Sequence, residues 1–200
     1  QEAVDPVRYI TNHSTGKMGY AIAKIASRRG AEVTLVSGPT AEEEPAFVNV
    51  VNVCSAKEMF EAVKERAQEQ DIIITVADYR PKHIRGSKMK KTEDGSDLTL
   101  ELERTDDILA YLGAHKKQGQ FLCGFAMETE DLIANAKRKL EKKRLDMIAA
   151  NSLRVEGAGF GGNTNVVTVI TKEKEVSLGK MTKEETAAEL LTMIAEARKV

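Results

Sequence analysis

The run Asp71-Ile72-Ile73-Ile74-Thr75-Val76 constrains the fold more than any other feature of the chain. A strand with no polar face is covered on both sides, which is the mark of a parallel sheet sandwiched between helices. Further short β-rich runs occur at Val33–Val36, Val48–Val53, Phe121–Phe125 and Asp146–Ala150. Helix signals fall between them. Met18, Ile22 and Ile25 recur at helical spacing from Gly16 to Arg29, and Gly30 is placed to stop that helix. Ser55-Ala56-Lys57-Glu58 and Thr182-Lys183-Glu184-Glu185 are capping boxes. The first predicts a helix to about Gln70, the second a C-terminal helix with Leu190, Leu191 and Ile194 on one side. Asp106 or Asp107 caps a helix through His115, and Thr129 a long one to about Lys143.

Strand–helix–strand alternation predicts an α/β fold, a Rossmann-like parallel sheet flanked by helices, with residues 1–200 as a single domain. The run at Asp71–Val76 reads as a central strand. Two segments break the alternation. Leu98 to Glu103 alternates apolar and polar, as in a half-exposed strand. Val166–Ile170 and the run around Val176 flank a charged turn and read as a hairpin. These antiparallel additions are expected at an edge or a dimer contact. No strand precedes the first helix, so the opening strand of the fold is expected to lie before Gln1.

Composition excludes several classes of partner. The net charge of −1 offers no global attraction for nucleic acid or anionic lipid. No apolar run approaches a membrane span, and no leader segment is visible. A cytoplasmic protein is the expectation. Cys54 and Cys123 have neither CxxC spacing nor a nearby histidine pair, so they are expected as two buried, reduced thiols.

Four segments can carry chemistry. Asp5 to Gly19 is polar, contains Ser14, Thr15 and Gly16, and leads into a helix whose free amides suit an anion; Arg8 adds a fixed charge. The same segment is equally compatible with a capped helix and a polar lead-in, and His13 with a loop hydrogen-bonder. Neither GxxxxGK[ST] nor GxGxxG occurs. Asp78 follows the Asp71–Val76 strand, where doubly wound folds bind ligands, but also suits a turn. Lys82 to Lys91 is a basic, glycine-bearing loop, able to close on polyphosphate or simply to face water. Lys139 and Lys143 share one face of the long helix, as a phosphate contact or a solvated edge.

In their order, these segments resemble the bacterial, CTP-using phosphopantothenoylcysteine synthetases. The distinctive pieces are Asp5–Ile10 with Asn12–Gly19, Val76–Arg80, Lys88–Lys91, Gly124–Thr129, Lys139 with Lys143, Ala150-Asn151 and Gly159-Phe160-Gly161. The resemblance implies a ligase of coenzyme A synthesis. The carboxylate of 4′-phosphopantothenate attacks the α-phosphate of CTP, giving an acyl-cytidylate and pyrophosphate; the cysteine amine then displaces CMP. It implies Asn12 and Lys88 as catalytic residues, and Arg8, Asn12, Ser14 and Gly16 at phosphopantothenate. Asp78, Lys88, Asp106, Asp107, Ile108, Leu109, Phe125, Lys139 and Lys143 fall at nucleotide-contacting positions. It also implies Mg2+ with the nucleotide, a homodimer, and in many bacteria a linked flavin-dependent decarboxylase. The chain departs from the family in two places. The usual strand and Gly-Gly-Thr turn do not stand before Gln1, and the Ile74-Thr75-Val76 junction is a few residues short. The competing readings are a dinucleotide-dependent oxidoreductase, which lacks its glycine fingerprint here, and a nucleotide sensor without chemistry.

Overall fold

Strand β8 (Phe121–Glu128) and strand β9 (Met147–Ser152) form the dry centre of the molecule, and the other elements are arranged to cover them. The structure is a computed structural model that describes residues 1–75, 79–81, 100–128, 131–152 and 161–198. In chain order, β1 (Glu2–Ala3) and β2 (Tyr9–Ile10) lead into α1 (Lys17–Arg28). Then come β3 (Val33–Ser37), β4 (Val48–Asn52) and α2 (Ala56–Arg66), which ends in a 3₁₀ turn, followed by β5 (Ile72–Thr75). The short strands β6 (Tyr79–Pro81) and β7 (Leu102–Arg104) precede α3 (Ile108–Ala114), β8, α4 (Leu132–Lys142) and β9. The chain closes with β10 (Thr164–Asn165), β11 (Val167–Ile170), β12 (Glu175–Ser177), β13 (Met181–Thr182) and α5 (Lys183–Ala197).

The main sheet has the order β12-β11-β9-β8-β5. Strands β5, β8 and β9 are parallel, while β11 pairs antiparallel with β9 and β12 antiparallel with β11. The expected hairpin is therefore the sheet's edge. Strands β3 and β4 form a separate parallel pair. Alternation along the strands divides the core in two. Cys123, Met147, Ala149, Val167 and Val169 face α1 and α5. Leu122, Ala126, Ile148, Ala150 and Ile170 face α2, α3 and α4. Each fully covered Ile or Leu contributes roughly 1.5–3 kcal/mol relative to exposure.

Several expectations need correction. Ile72 and Ile74 pack on the first core and Ile73 on the second, as a strand apolar on both faces should. Yet β5 is half-buried throughout and bonds only to β8, so among the described residues it is an edge and not a central strand. Of the 98–103 alternation, residues 98 and 99 lie outside the described residues; the rest includes β7, paired with β6, and Leu100 and Leu102 are exposed. Among the described residues the ribbon has no second layer to bury them. Helix α4 begins at Leu132, with Asp131 at the cap position and no side-chain cap bond; Thr129 lies outside the described residues. Cys123 is buried, its thiol pushed up to about 12 by burial and then by Asp146, but Cys54 is exposed. Its position just before the Ser55 cap is a surface turn and not the strand.

The remaining helix starts form as their residues dictate. Ser55 Oγ accepts from the Glu58 amide at 3.2 Å, and Thr182 and Glu185 complete a reciprocal box. Asp107, not Asp106, caps α3 by accepting from the Ala110 amide at 3.0 Å. Helices α3 and α4 meet at Gly113, where a β-carbon would lie 1.9 Å from the Lys143 carbonyl oxygen. Gly113→Ala is therefore expected to cost about 1–3 kcal/mol. Gly19→Ala, in α1 with nothing near its β-carbon position, is expected to gain about 0.4–1 kcal/mol. Paired urea titrations check both signs.

Candidate functional site

The start of α1 is the candidate anion cradle. Asp5 is buried, and its Oδ1 accepts from the amides of Val7 at 2.8 Å and Arg8 at 2.9 Å. Its other oxygen lies 3.6 Å from Arg8 Nε, so the guanidinium is steered by a fixed carboxylate while about half its side chain meets solvent. Asn12 Oδ1 accepts from the Ser14 amide at 2.9 Å, which bends the loop toward the helix. Gly16 holds the cap position at φ +82° and supplies no side chain. A β-carbon there would meet Thr40 Oγ1 at 3.1 Å, and Thr40 itself donates to the Thr15 carbonyl. No acidic residue occupies the first turn of α1. The helix thus begins with neither a side-chain cap nor a negative charge, the arrangement that leaves its amides and dipole for an external anion.

This cradle sits at the carboxyl end of β3. Tyr20 on α1 shares a buried 3.0 Å hydrogen bond with Ser37, the last residue of that strand. The carboxyl side is where open α/β sheets bind ligands. Phe125, in β8, packs against the α1-side core with Met18 and Ile25.

The nucleotide candidates fall mostly on the other face. Lys143 Nζ lies 2.9 Å from Asp107 Oδ1. Partial burial works to raise the Asp107 carboxyl, but the bonds from Lys143 and the Ala110 amide outweigh it and hold the group below its ordinary range. Lys139 lies four residues before Lys143 on α4, and Asp106 is exposed beside the cap. Ile108 and Leu109 have side chains buried in the second core, so a nucleotide contact by this segment would be made through its backbone. Asp78 and Lys88 lie outside the described residues. The structure thus joins Asp107 to Lys143 and gathers Arg8, Asn12, Ser14 and Gly16 along one segment. The two groups belong to opposite faces of the sheet. The sequence reading gave Asp5 no role, although it is the residue that orients Arg8. Gly161 and Lys17 stood within distinctive segments without a role; the contact between them, and the part of Lys183, were not anticipated.

Among the described residues no group of three or more His, Cys, Asp or Glu is placed to hold a metal ion.

Fold and site together define a Rossmann-like α/β domain with a helix start lacking a side-chain cap at the carboxyl edge of its strands. Residues 1–197 match the DNA/pantothenate metabolism flavoprotein C-terminal domain, and the chain belongs to that family. It is 47% identical over 197 residues to the coenzyme A biosynthesis bifunctional protein CoaBC of Vibrio vulnificus (strain YJ016), a match covering 97% of this chain and 49% of the relative. It is 46% identical over 204 residues to the CoaBC protein of Bacillus subtilis (strain 168), covering 100% and 50%. A crystal structure of a CoaBC C-terminal domain superposes with a TM-score of 0.80 at 44% identity, covering 96% of this chain and 88% of that one. The chain spans about half the length of the curated relatives it matches.

The lowered Asp107 and Glu58 carboxyls carry a pH consequence; Glu58 is held down first by its bond from the Cys54 amide. Groups depressed on folding add stability above their unfolded values and lose it as pH falls through the folded ones. Unfolding free energy is therefore expected to fall on acidification below about pH 4. Denaturant titrations at neutral and acid pH should show a smaller drop for Asp107→Asn than for the wild type.

Proposed function

We propose that this chain is the ligase that couples 4′-phosphopantothenate to L-cysteine through an acyl-cytidylate made from CTP. The observation that supports it best is the uncapped start of α1, flanked by Arg8 and Asn12, in a chain that aligns along its length with the C-terminal half of coenzyme A biosynthesis proteins. A carboxylate is a poor acyl donor because its leaving group would be oxide. Attack of the phosphopantothenate carboxylate on the CTP α-phosphate replaces oxide with cytidylate and releases pyrophosphate. The cysteine amine then attacks the acyl carbon, loses a proton, and expels CMP.

The chain's own residues are assigned to positioning and charge. Arg8, held by Asp5, and the amides after Gly16 bind the anionic acyl substrate. Asn12 presents its amide to the acyl oxygen, where charge grows in the tetrahedral transition state. Asp107 with Lys143, Lys139 and the backbone of Asp106–Leu109 flank the nucleotide, with Asp78, Phe125 and Lys88 completing the set. A bound Mg2+ would supply charge screening at the triphosphate, held mainly by waters and substrate phosphates as is common for that ion.

The protein is proposed to act as a cytoplasmic homodimer. Among the described residues no helix is long and apolar enough to cross a membrane. Leu100 and Leu102 on the β6–β7 ribbon, with Val7 and Tyr9 around β2, are exposed apolar groups suited to a second copy. The CoaBC relatives are named bifunctional, which supports a linked decarboxylase half.

The test is pyrophosphate release from chain, CTP, Mg2+, 4′-phosphopantothenate and cysteine. Absence of release would leave a nucleotide sensor, and hydride transfer to a nicotinamide an oxidoreductase. Asn12→Asp is expected to release pyrophosphate in a single turnover and then form no ligated product. Product at the wild-type rate would remove Asn12 from the mechanism. Lys88→Gln is expected to slow ligation with the melting temperature unchanged. A large fall in melting temperature would mark a structural lysine.

A further inference from the structure

Lysine is a poor choice for the first position of a helix, because its charge opposes the positive end of the dipole. Two helices of this chain nevertheless begin with one: Lys17 in α1 and Lys183 in α5. Lys183 is also buried, with 8% of its surface exposed. Burial first, and then the nearby Lys17, hold its ammonium below the usual lysine range, with Glu42 opposing them. Three unfavourable terms act at one side chain.

A single turn supplies part of what offsets them. Lys17 Nζ donates to the Gly161 carbonyl at 3.1 Å and to Asn163 Oδ1 at 2.9 Å. Lys183 Nζ donates to the Gly162 carbonyl at 2.7 Å, and its backbone amide to the Asn163 carbonyl at 2.9 Å. Asn165 Nδ2 reaches Met18 Sδ at 3.7 Å. Side-chain packing cannot hold Gly161 or Gly162, because each lacks a β-carbon. Among the described residues, a β-carbon at Gly161 would meet nothing within 4 Å, and one at Gly162 only the Thr164 amide at 3.9 Å. The turn is fixed by polar bonds, and two of its donors stand at the starts of helices from distant parts of the sequence.

We propose that Lys17 and Lys183 are positioning residues, a paired ammonium clamp that sets the Gly161–Asn163 turn as one wall of the α1 anion cradle. Neither lysine is assigned contact with the reacting atoms. The wall adjoins the acyl-substrate segment, since Lys17 follows Gly16 directly, and it belongs to the α1 face, away from Asp107 and Lys143. Loss of the clamp therefore weakens the acyl substrate selectively and leaves CTP alone. The kinetic half of this inference rests on the ligase reading given above; the structural half does not.

The test uses the full chain and three variants: Lys17→Met, Lys183→Met and Lys17→Arg. Methionine keeps the apolar stem without the donor. Hydrogen exchange at residues 161–165 is expected to quicken about tenfold in both Met variants, with mid-helix amides of α1 and α5 unchanged. The KM for 4′-phosphopantothenate is expected to rise about tenfold, with kcat and the KM for CTP within about twofold of the wild type. Lys17→Arg, which still donates, should restore both. Unchanged exchange in folded Lys17→Met would overturn the clamp, as would an Arg variant behaving like Met. Faster exchange with an unchanged KM would overturn the positioning role. If Lys183→Met does not fold, Lys17→Met decides alone. If the wild-type chain releases no pyrophosphate, the ligase reading fails, and the exchange data judge the clamp by themselves.

Discussion

Both faces of β8 and β9 are dry, and that constraint arranges everything else. Cys123, Met147 and Ala149 fill one side, Leu122, Ile148 and Ala150 the other, each with almost no exposed surface. A polar group placed among them would need a buried partner or would lose about 1–3 kcal/mol. Chemistry is therefore exported to the strand ends, and the chain places its charged residues there. Asp146 shows the rule at the amino side. Its carboxylate accepts from the Leu122 amide at 2.7 Å and from Lys116 at 2.5 and 2.6 Å, tying the starts of β8 and β9 together. At the carboxyl side the same logic leaves the start of α1 open.

The two ends differ in how their charges are used. Near the amino side, cations close on carboxylates or on helix carbonyls, and little is left to do. Around α1, Arg8 is held by Asp5, and Lys17 and Lys183 close on carbonyls and an amide of the Gly161–Asn163 turn beside a helix start without a side-chain cap.

How much of this was legible in the sequence depended on the range of the interaction. Ser55 and Thr182 act within a few residues, so their caps could be read directly, and the α3 cap could be narrowed to Asp106 or Asp107. Periodicity likewise gave Ala136 and Leu140 to the core, and the Val167–Ile170 hairpin to an edge. Long-range facts were hidden. Nothing local says that β5 bonds on one side only, or that Leu100 and Leu102 lack a covering layer. Cys54 looked like strand because the apolar run touches it, yet the cap that follows turns it outward. In the candidate site, Arg8, Asn12 and Gly16 were legible as one segment. The ties from Lys17 and Lys183 were not, because they span more than a hundred residues in one case and belong to different helices. The one available clue was a lysine standing where a helix dipole disfavours it.

The reversal of direction at β11 has a consequence for how the fold tolerates change. Because β11 runs against β9, Ile170 lies beside Ile148, near the start of β9, and the hairpin tip emerges at the pole opposite the cradle. That tip closes on itself, with Thr171 Oγ1 accepting from the amides of Glu173 and Lys174, and its charged residues face solvent. Length or bulk added between Thr171 and Glu175 meets solvent, although Val167, Val169, Ile170 and Val176 on the strands behind it pack into the cores. The tip alone is thus a handle: a place where the sequence is free to drift, or to carry a label, without the opposite pole registering it.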